Sequence, residues 1–162
     1  MPVTCEELLA RLDELGLACQ THHHPAAHTV EESKAMRGDL PGTHCKNLFL
    51  KDKKQALWLL VVPEDAPINL KEIKTKIGSN HLSFAKPELL MEVLGVTPGS
   101  VTPFALINDT DHRVNVILDS QMMQADLVNY HPLSNTMTTA LSPDDLRRFI
   151  SFCGHDFREV EL

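Results

Sequence analysis

Three stretches of this chain carry side chains or backbone geometry that can do chemistry. The first is Lys46-Asn47, a cation and an amide just before the apolar run Leu48-Phe49-Leu50. Polar residues at the mouth of a buried strand can be aimed at a ligand, and a lysine there can hold a phosphate. The plainer alternative is an exposed strand end. The second stretch is Leu94-Gly95-Val96-Thr97-Pro98-Gly99-Ser100-Val101-Thr102-Pro103-Phe104-Ala105-Leu106, with two glycines, two prolines and no charged residue. So restricted a loop can point backbone N–H groups at one place, as anion and oxyanion sites do. It can equally be a connector with strong turn chemistry. The third is Tyr130-His131-Pro132-Leu133-Ser134-Asn135-Thr136. His131 there can orient a substrate or handle a proton near neutral pH, or serve only as a turn residue before proline.

Several familiar chemistries lack their motifs. The chain has no Gly-x-Ser-x-Gly elbow, no His-Glu-x-x-His, no Walker loop and no Gly-x-Gly-x-x-Gly. That argues against an ordinary serine hydrolase, zinc hydrolase, NTPase or dinucleotide enzyme. Cys5, Cys19, Cys45 and Cys153 are scattered and form no Cys-x-x-Cys pair, so neither a zinc knuckle nor a redox pair is expected. His22-His23-His24 is a poor metal site, because neighbours along a strand point to opposite faces. No metal and no cofactor is expected.

The elements that must position these residues are legible in outline. Thr4-x-x-Glu7 is a capping box, and Leu8, Leu9, Leu12 and Leu15 line one helix face before Gly16. Residues 17–21 read as a short strand. Thr29-x-x-Glu32 opens a second, short helix to about Arg37, with Gly38 as its stop. Residues 45–50 and 56–62 form a hairpin around Lys51-Asp52-Lys53-Lys54-Gln55, and the second strand is apolar enough to be buried on both faces. Asn69 caps a lysine-rich helix ending at Gly78, and residues 79–85 hold a loop and a short strand. Pro87 starts a helix with Leu89, Leu90, Val93 and Leu94 on its apolar side, closed by Gly95 in a left-handed conformation. Pro98-Gly99 suits the centre of a type II turn. Residues 104–107 then read as a strand, returning through 108–111 to a strand at 114–118 as a second hairpin. Residues 126–129 and 137–140 are strand-like. Ser142-Pro143-Asp144-Asp145 opens the last helix, with Leu146, Phe149, Ile150 and Cys153 inward and Gly154 at its end. Residues 157–160 close with a strand. The prediction is a mixed α/β fold, a largely antiparallel sheet with packed helices, as one domain over 1–162.

The bulk chemistry narrows the partners. With 43% apolar and 23% charged residues the composition is that of a soluble globular protein. No apolar run reaches the length of a membrane span, and the start does not read as a signal peptide, so a cytoplasmic location and no membrane partner are expected. A net charge of −7 argues against indiscriminate nucleic-acid binding. Yet residues 43–86 hold eight lysines against four acidic side chains. One basic face on an acidic body can bind a nucleic acid at one place, unless those lysines merely decorate turns and a helix.

Taken together, Lys46-Asn47-Leu48-Phe49-Leu50, the loop from Leu94 through Asn108, and Tyr130 through Thr136 closely resemble the free-standing relatives of the bacterial prolyl-tRNA synthetase editing domain. Within these YbaK-like aminoacyl-tRNA deacylases the chain is most similar to the alanyl-tRNA(Pro) deacylase branch. The resemblance covers about residues 20–155, with three separated motifs in order. The family's Gly-x-x-x-Pro loop falls on Gly99 to Pro103, its lysine and asparagine on Lys46 and Asn47, and its histidine on His131. The fold implied is the editing-domain fold. The reaction implied is hydrolysis of the ester joining alanine to the terminal ribose of mischarged tRNA(Pro), in trans.

By that resemblance, Lys46 anchors the terminal adenosine phosphate and Asn47 supports it. The backbone of Gly99, Ser100, Val101, Thr102 and Pro103 cradles the aminoacyl group and the attacked carbonyl. His131 orients the substrate, while a ribose hydroxyl helps place the water. Val101 and Pro103 are candidate walls of a pocket too small for proline. The implied partners are the acceptor end of the tRNA and, as a further candidate, prolyl-tRNA synthetase. Where the family often has arginine, this chain has His81, which bears on recognition of the acceptor stem. Two other readings stay open: a deacylase for cysteinyl- or seryl-tRNA, and a non-catalytic tRNA- or synthetase-binding module.

Overall fold

The computed structural model describes residues 2–24 and 41–162. The helix expected from Thr29-x-x-Glu32 lies outside the described residues. The strands are β1 (Gln20–His23), β2 (Thr43–Asp52), β3 (Leu57–Pro63), β4 (Leu82–Phe84), β5 (Val114–Asp119), β6 (Val128–Tyr130), β7 (Met137–Leu141) and β8 (Phe157–Val160). The α-helices are α1 (Cys5–Glu14), α2 (Leu70–Ile77), α3 (Pro87–Leu94) and α4 (Pro143–Phe152). The sheet runs β1-β7-β6-β2-β3-β5-β8, and β4 pairs with the end of β2. Four of its seven pairings are antiparallel and three parallel, a mostly antiparallel mixed sheet.

The local chemistry explains the elements. Asp52 closes the β2–β3 hairpin, its carboxylate accepting from the N–H groups of Lys54 (2.9 Å) and Ala56 (3.0 Å) and from the Trp58 indole (3.3 Å). Alternation along the strands then splits the core in two. On one face Phe49, Leu59, Val61, Val116 and Leu118 pack with α1, α3 and α4, through Leu12, Leu94 and Phe149 among others. On the other, Leu50, Leu60 and Ile117 pack under Ile73 and Ile77 of α2. The predicted caps form: Thr4 with Glu7 in a capping box, Asn69 over α2, Ser142 over α4, and left-handed Gly78 and Gly95 at the ends of α2 and α3.

Three expectations are corrected. The first strand starts at Gln20 rather than Leu17. Residues 104–107 are not a strand: Pro103–Asn108 is a buried 3-10 helix, with Pro103 at its first position and the Thr102 hydroxyl accepting from the Phe104 N–H. A short apolar run fits either conformation, and here the cap and proline decide for the helix. The second hairpin therefore does not form, and β5 lies between β3 and β8, parallel to both. Finally, Pro98–Ser100 is a 3-10 turn, closed by the Ser100 N–H on the Thr97 carbonyl at 2.9 Å. Gly99 does not take a positive φ, so this is no type II turn.

Candidate active site

The site is built where β2 is left partly unpaired. β3 accompanies β2 from Cys45 to Lys51 on one side. On the other side β6 pairs only with Thr43 and His44, and β4 only with Leu50 through Asp52. Between them, among the described residues, no strand flanks Cys45 to Phe49 on that side. The turn after β6 and the turn after α3 come to this window.

Asn47 is the residue shared by two cavities here. One is small and polar, about 30 Å³, with Asn47, Cys45, Glu64, Asn129, His131 and Thr138 on its walls. The other is largely apolar, about 190 Å³, lined by Asn47 with Leu48, Phe49, Phe84, Pro98 and Val101. Oδ1 of Asn47 is buried and, among the described residues, has no hydrogen-bond partner.

His131 is fixed by its surroundings. Its Nδ1–H donates to the Met137 carbonyl at 2.8 Å, because a carbonyl can only accept. In the neutral ring Nε2 then carries the lone pair. Burial, and to a lesser degree His24, hold the His131 pKa below its ordinary 6.5, against the opposing pull of the Met137 carbonyl. The ring lies 6.1 Å from that of His24, centroid to centroid, and His24 Nε2 is 2.8 Å from the Thr138 hydroxyl. Cys45 sits in the same cavity, but burial pushes its thiol up to about 12, so it is no thiolate nucleophile at neutral pH.

The loop of Gly99 to Pro103 contributes unequally. Gly99 is exposed and faces the other turn: a Cβ added there would meet Asn135 Nδ2 at 3.4 Å. Val101 lines the apolar cavity. Ser100, Thr102 and Pro103 are buried. Pro103 lines neither cavity, in contrast to its expected place as a pocket wall. The Ser100 N–H is spent on Thr97, and those of Phe104 and Ala105 on Thr102.

Lys46 is set apart from these. It points to the face of Leu48 and Leu50, opposite to Asn47, as alternation requires. Its Nζ donates to the Ala66 carbonyl at 2.6 Å, and it lines neither cavity. The structure thus brings Asn47, His131 and Val101 to two cavities that share Asn47, sets Gly99 against Asn135 outside both, and leaves Lys46 behind β2.

The family model of the aminoacyl-tRNA editing domain matches residues 24–149. The chain belongs to this family. Prolyl-tRNA editing protein ProX of Acetoanaerobium sticklandii is 35% identical over 158 residues, covering 97% of this chain and 96% of that protein. The prolyl-tRNA synthetase associated domain-containing protein 1 of Mus musculus is 39% identical over 155 residues, covering 93% and 91%. A solved structure described as a candidate trans-editing enzyme for prolyl-tRNA synthetase superposes with a TM-score of 0.72 at 18% identity, over 98% of this chain and 96% of that one. At that identity it speaks for the fold alone. The matched editing-domain span holds Asn47, the Gly99 loop and His131, whereas α1 and β8 fall outside it.

The candidate site also contains residues not singled out from sequence: Asn129 and Glu64. An asparagine in a short strand and a glutamate after a strand carry no local signal. Glu64 is placed by the end of the β2–β3 hairpin, where its N–H donates to the His44 carbonyl, and Asn129 by the pairing of β2 with β6, which lie far apart in the chain.

Proposed function

We propose that this aminoacyl-tRNA deacylase acts in trans on mischarged tRNA(Pro) and that the amino acid it removes is alanine, with residues 1–162 working as one editing domain in the cytoplasm. The observation that carries the reading is the pair of cavities meeting at Asn47, the smaller one walled by a neutral, single-tautomer His131. An aminoacyl ester is already activated. Its hydrolysis needs a placed water and donors for the tetrahedral oxyanion, which explains the lack of a triad.

In the proposed reaction water adds to the ester carbonyl. The bond from that carbon to the ribose oxygen breaks, and the oxygen takes up a proton. The donors fall to the loop N–H groups with no partner given above among the described residues, those of Gly99, Val101 and Thr102. His131 Nε2 orients the aminoacyl end, with a ribose hydroxyl helping to hold the water. Asn47 positions the ester between the cavities. Lys46 would exchange the Ala66 carbonyl for the terminal adenosine phosphate, and the lysines of 43–86 would meet the acceptor end. Prolyl-tRNA synthetase is the proposed further partner. A cavity of about 30 Å³ suits a compact residue better than a ring closed onto its own amine.

The test is a panel of alanyl-, prolyl-, cysteinyl- and seryl-tRNA(Pro) incubated with the protein. Selective loss of the alanyl ester is expected. Preference for cysteine or serine would replace alanine as substrate, and binding without turnover would leave only a tRNA-binding module. For Lys46→Ala a KM raised about tenfold with kcat nearly kept is expected, since a phosphate contact binds ground and transition states alike. An unchanged KM removes Lys46 from the site.

A further inference from the structure

We infer that Phe84 is a stacking platform for the base of the nucleotide that carries the ester, so that the apolar cavity beside Asn47 takes the terminal nucleoside of the tRNA. This rests on the deacylase reading above. Among the described residues the large apolar side chains left exposed are Phe84, Met91 and Phe152. Phe152 is shielded by Arg11, whose guanidinium lies 5.7 Å from the ring centre. Met91 stands on α3 beside a different groove, with Pro2 and Ile107. Phe84 is 62% exposed, belongs to neither core cluster, and forms a wall of the apolar cavity. An aromatic ring held in water forgoes the stabilisation that burial would give it, and at the wall of a cavity it is a contact surface for a ligand.

The backbone fixes where this ring stands. β4 pairs with the end of β2, Leu82 with Asp52, Ser83 with Lys51 and Phe84 with Leu50. The next N–H, that of Ala85, donates to the Phe49 carbonyl at 3.0 Å, and Pro87 then opens α3. Phe84 is thereby held at one corner of the window along β2 without packing of its own side chain into the core. Leu48, Pro98 and Val101 lie on the same cavity, and none of them is charged. The charge lies around it. Lys51 sits across from Ser83, Lys53 and Lys54 are in the turn after β2, and Lys86 is the N-cap of α3, with Glu88 as the acid in that helix's first turn.

The shape of the substrate assigns the occupant. Two groups extend from the ester, the amino acid on one side and the terminal ribose with its base on the other. Two cavities meet at Asn47, a polar one of about 30 Å³ and an apolar one of about 190 Å³. A nucleobase is flat, apolar on its faces and far larger than an alanyl methyl group, so it fits the larger, apolar walls. The phosphates then fall to the lysines outside. An aromatic ring for the base beside cations for the backbone is the arrangement that holds a single strand. Every base has a π-face, so Phe84 contributes affinity for the 3′ end rather than recognition of its sequence.

The experiment uses alanyl-tRNA(Pro) in two forms, one ending in adenosine and one in a ribose that lacks its base. Each enzymatic rate is divided by that ester's own uncatalysed hydrolysis. With the wild-type protein, loss of the base should raise KM about tenfold with kcat nearly kept, and Phe84→Ala should do the same on the intact end. Together the two changes should cost no more than either alone, because both remove the same contact. Phe84→Trp should keep the wild-type KM, whereas Phe84→Leu, apolar but without a π-face, should behave like Phe84→Ala. Effects that multiply when combined overturn the inference, and a variant that merely folds badly gives that same result. An unchanged KM in Phe84→Ala or in Phe84→Leu overturns it as well. In each of these cases the deacylase reading stands, provided that the wild-type protein cleaves the intact ester. Failure to cleave that ester at all overturns the deacylase reading and the base subsite with it.

Discussion

His131 has one ring nitrogen bonded to the Met137 carbonyl, so only Nε2 is left for substrate. Its pKa is lowered mainly by burial, so the neutral ring predominates at neutral pH. Acidification protonates Nε2 and removes its lone pair. The expected outcome is a kcat/KM for deacylation that is flat near pH 7 and falls on the acid side with a midpoint below 6.5. His131→Gln should flatten that limb and lower the plateau about tenfold or more. A midpoint above 6.5, or an acid limb surviving in the variant, would assign the titration to another group. The sign for stability is the same. The folded state binds this proton less readily than the unfolded chain, so the contribution to stability is complete above about 6.5 and declines as pH falls from there toward the folded pKa. Gly99 gives a second test at this scale. Its φ is ordinary and an added Cβ makes only a contact of 3.4 Å with Asn135, so Gly99→Ala should fold normally. If the loop backbone cradles the ester, that methyl group between the two turns should lower kcat/KM several-fold; an unaltered rate would make the loop a connector.

At the scale of elements, polar side chains tie segments together where the sheet itself does not. Asn108 accepts from the Val3 N–H at 2.8 Å and donates to the Leu94 carbonyl at 2.9 Å, locking the chain start to the end of α3. Asp109 accepts from the N–H groups of Arg113 (3.1 Å) and Val114 (2.9 Å) and from His155 Nε2 (2.9 Å), joining the turn before β5 to the segment after α4. Burial alone would raise its pKa, but these hydrogen bonds more than offset that and hold the carboxyl below 3.8. The stabilisation is thus present above about 3.8 and lost as pH falls through the lower folded value. Asp109→Ala should cost about 3–5 kcal/mol in urea unfolding at pH 7, because it leaves buried donors without an acceptor. A loss under about 1 kcal/mol would show that those donors find other partners.

Much of this scale was legible in the chain. The caps of α1, α2 and α4 and the glycine stops at Gly78 and Gly95 are local signals, and these form as read. The β2–β3 hairpin was legible because its turn and apolar run are contiguous. What was not legible depends on pairing at a distance, above all the parallel place of β5 between β3 and β8. Asn129 belongs to this class too, since its partners Pro41 and Thr43 lie far from it in sequence.

At the scale of the molecule, the larger core cluster takes side chains from β2, β3, β5, β6 and β7, but the strand pairing is uneven. β1, β7 and β6 form one group and β2, β3, β4, β5 and β8 another. Between the two groups, pairing consists of Thr43 with Val128 and His44 with Asn129. The polar cavity lies at this seam, with Asn47 on one bank and Asn129 and His131 on the other. That has a consequence in time. Contacts between residues so distant in sequence form slowly, because loop closure must be met before they contribute. Refolding from urea should restore the fluorescence of Trp58, on the β3 bank, before it restores ester hydrolysis, and simultaneous recovery would show that the banks dock in a single step. A newly made chain would then pass through a compact but inactive interval, with most of its sheet in place before it can act on a mischarged tRNA.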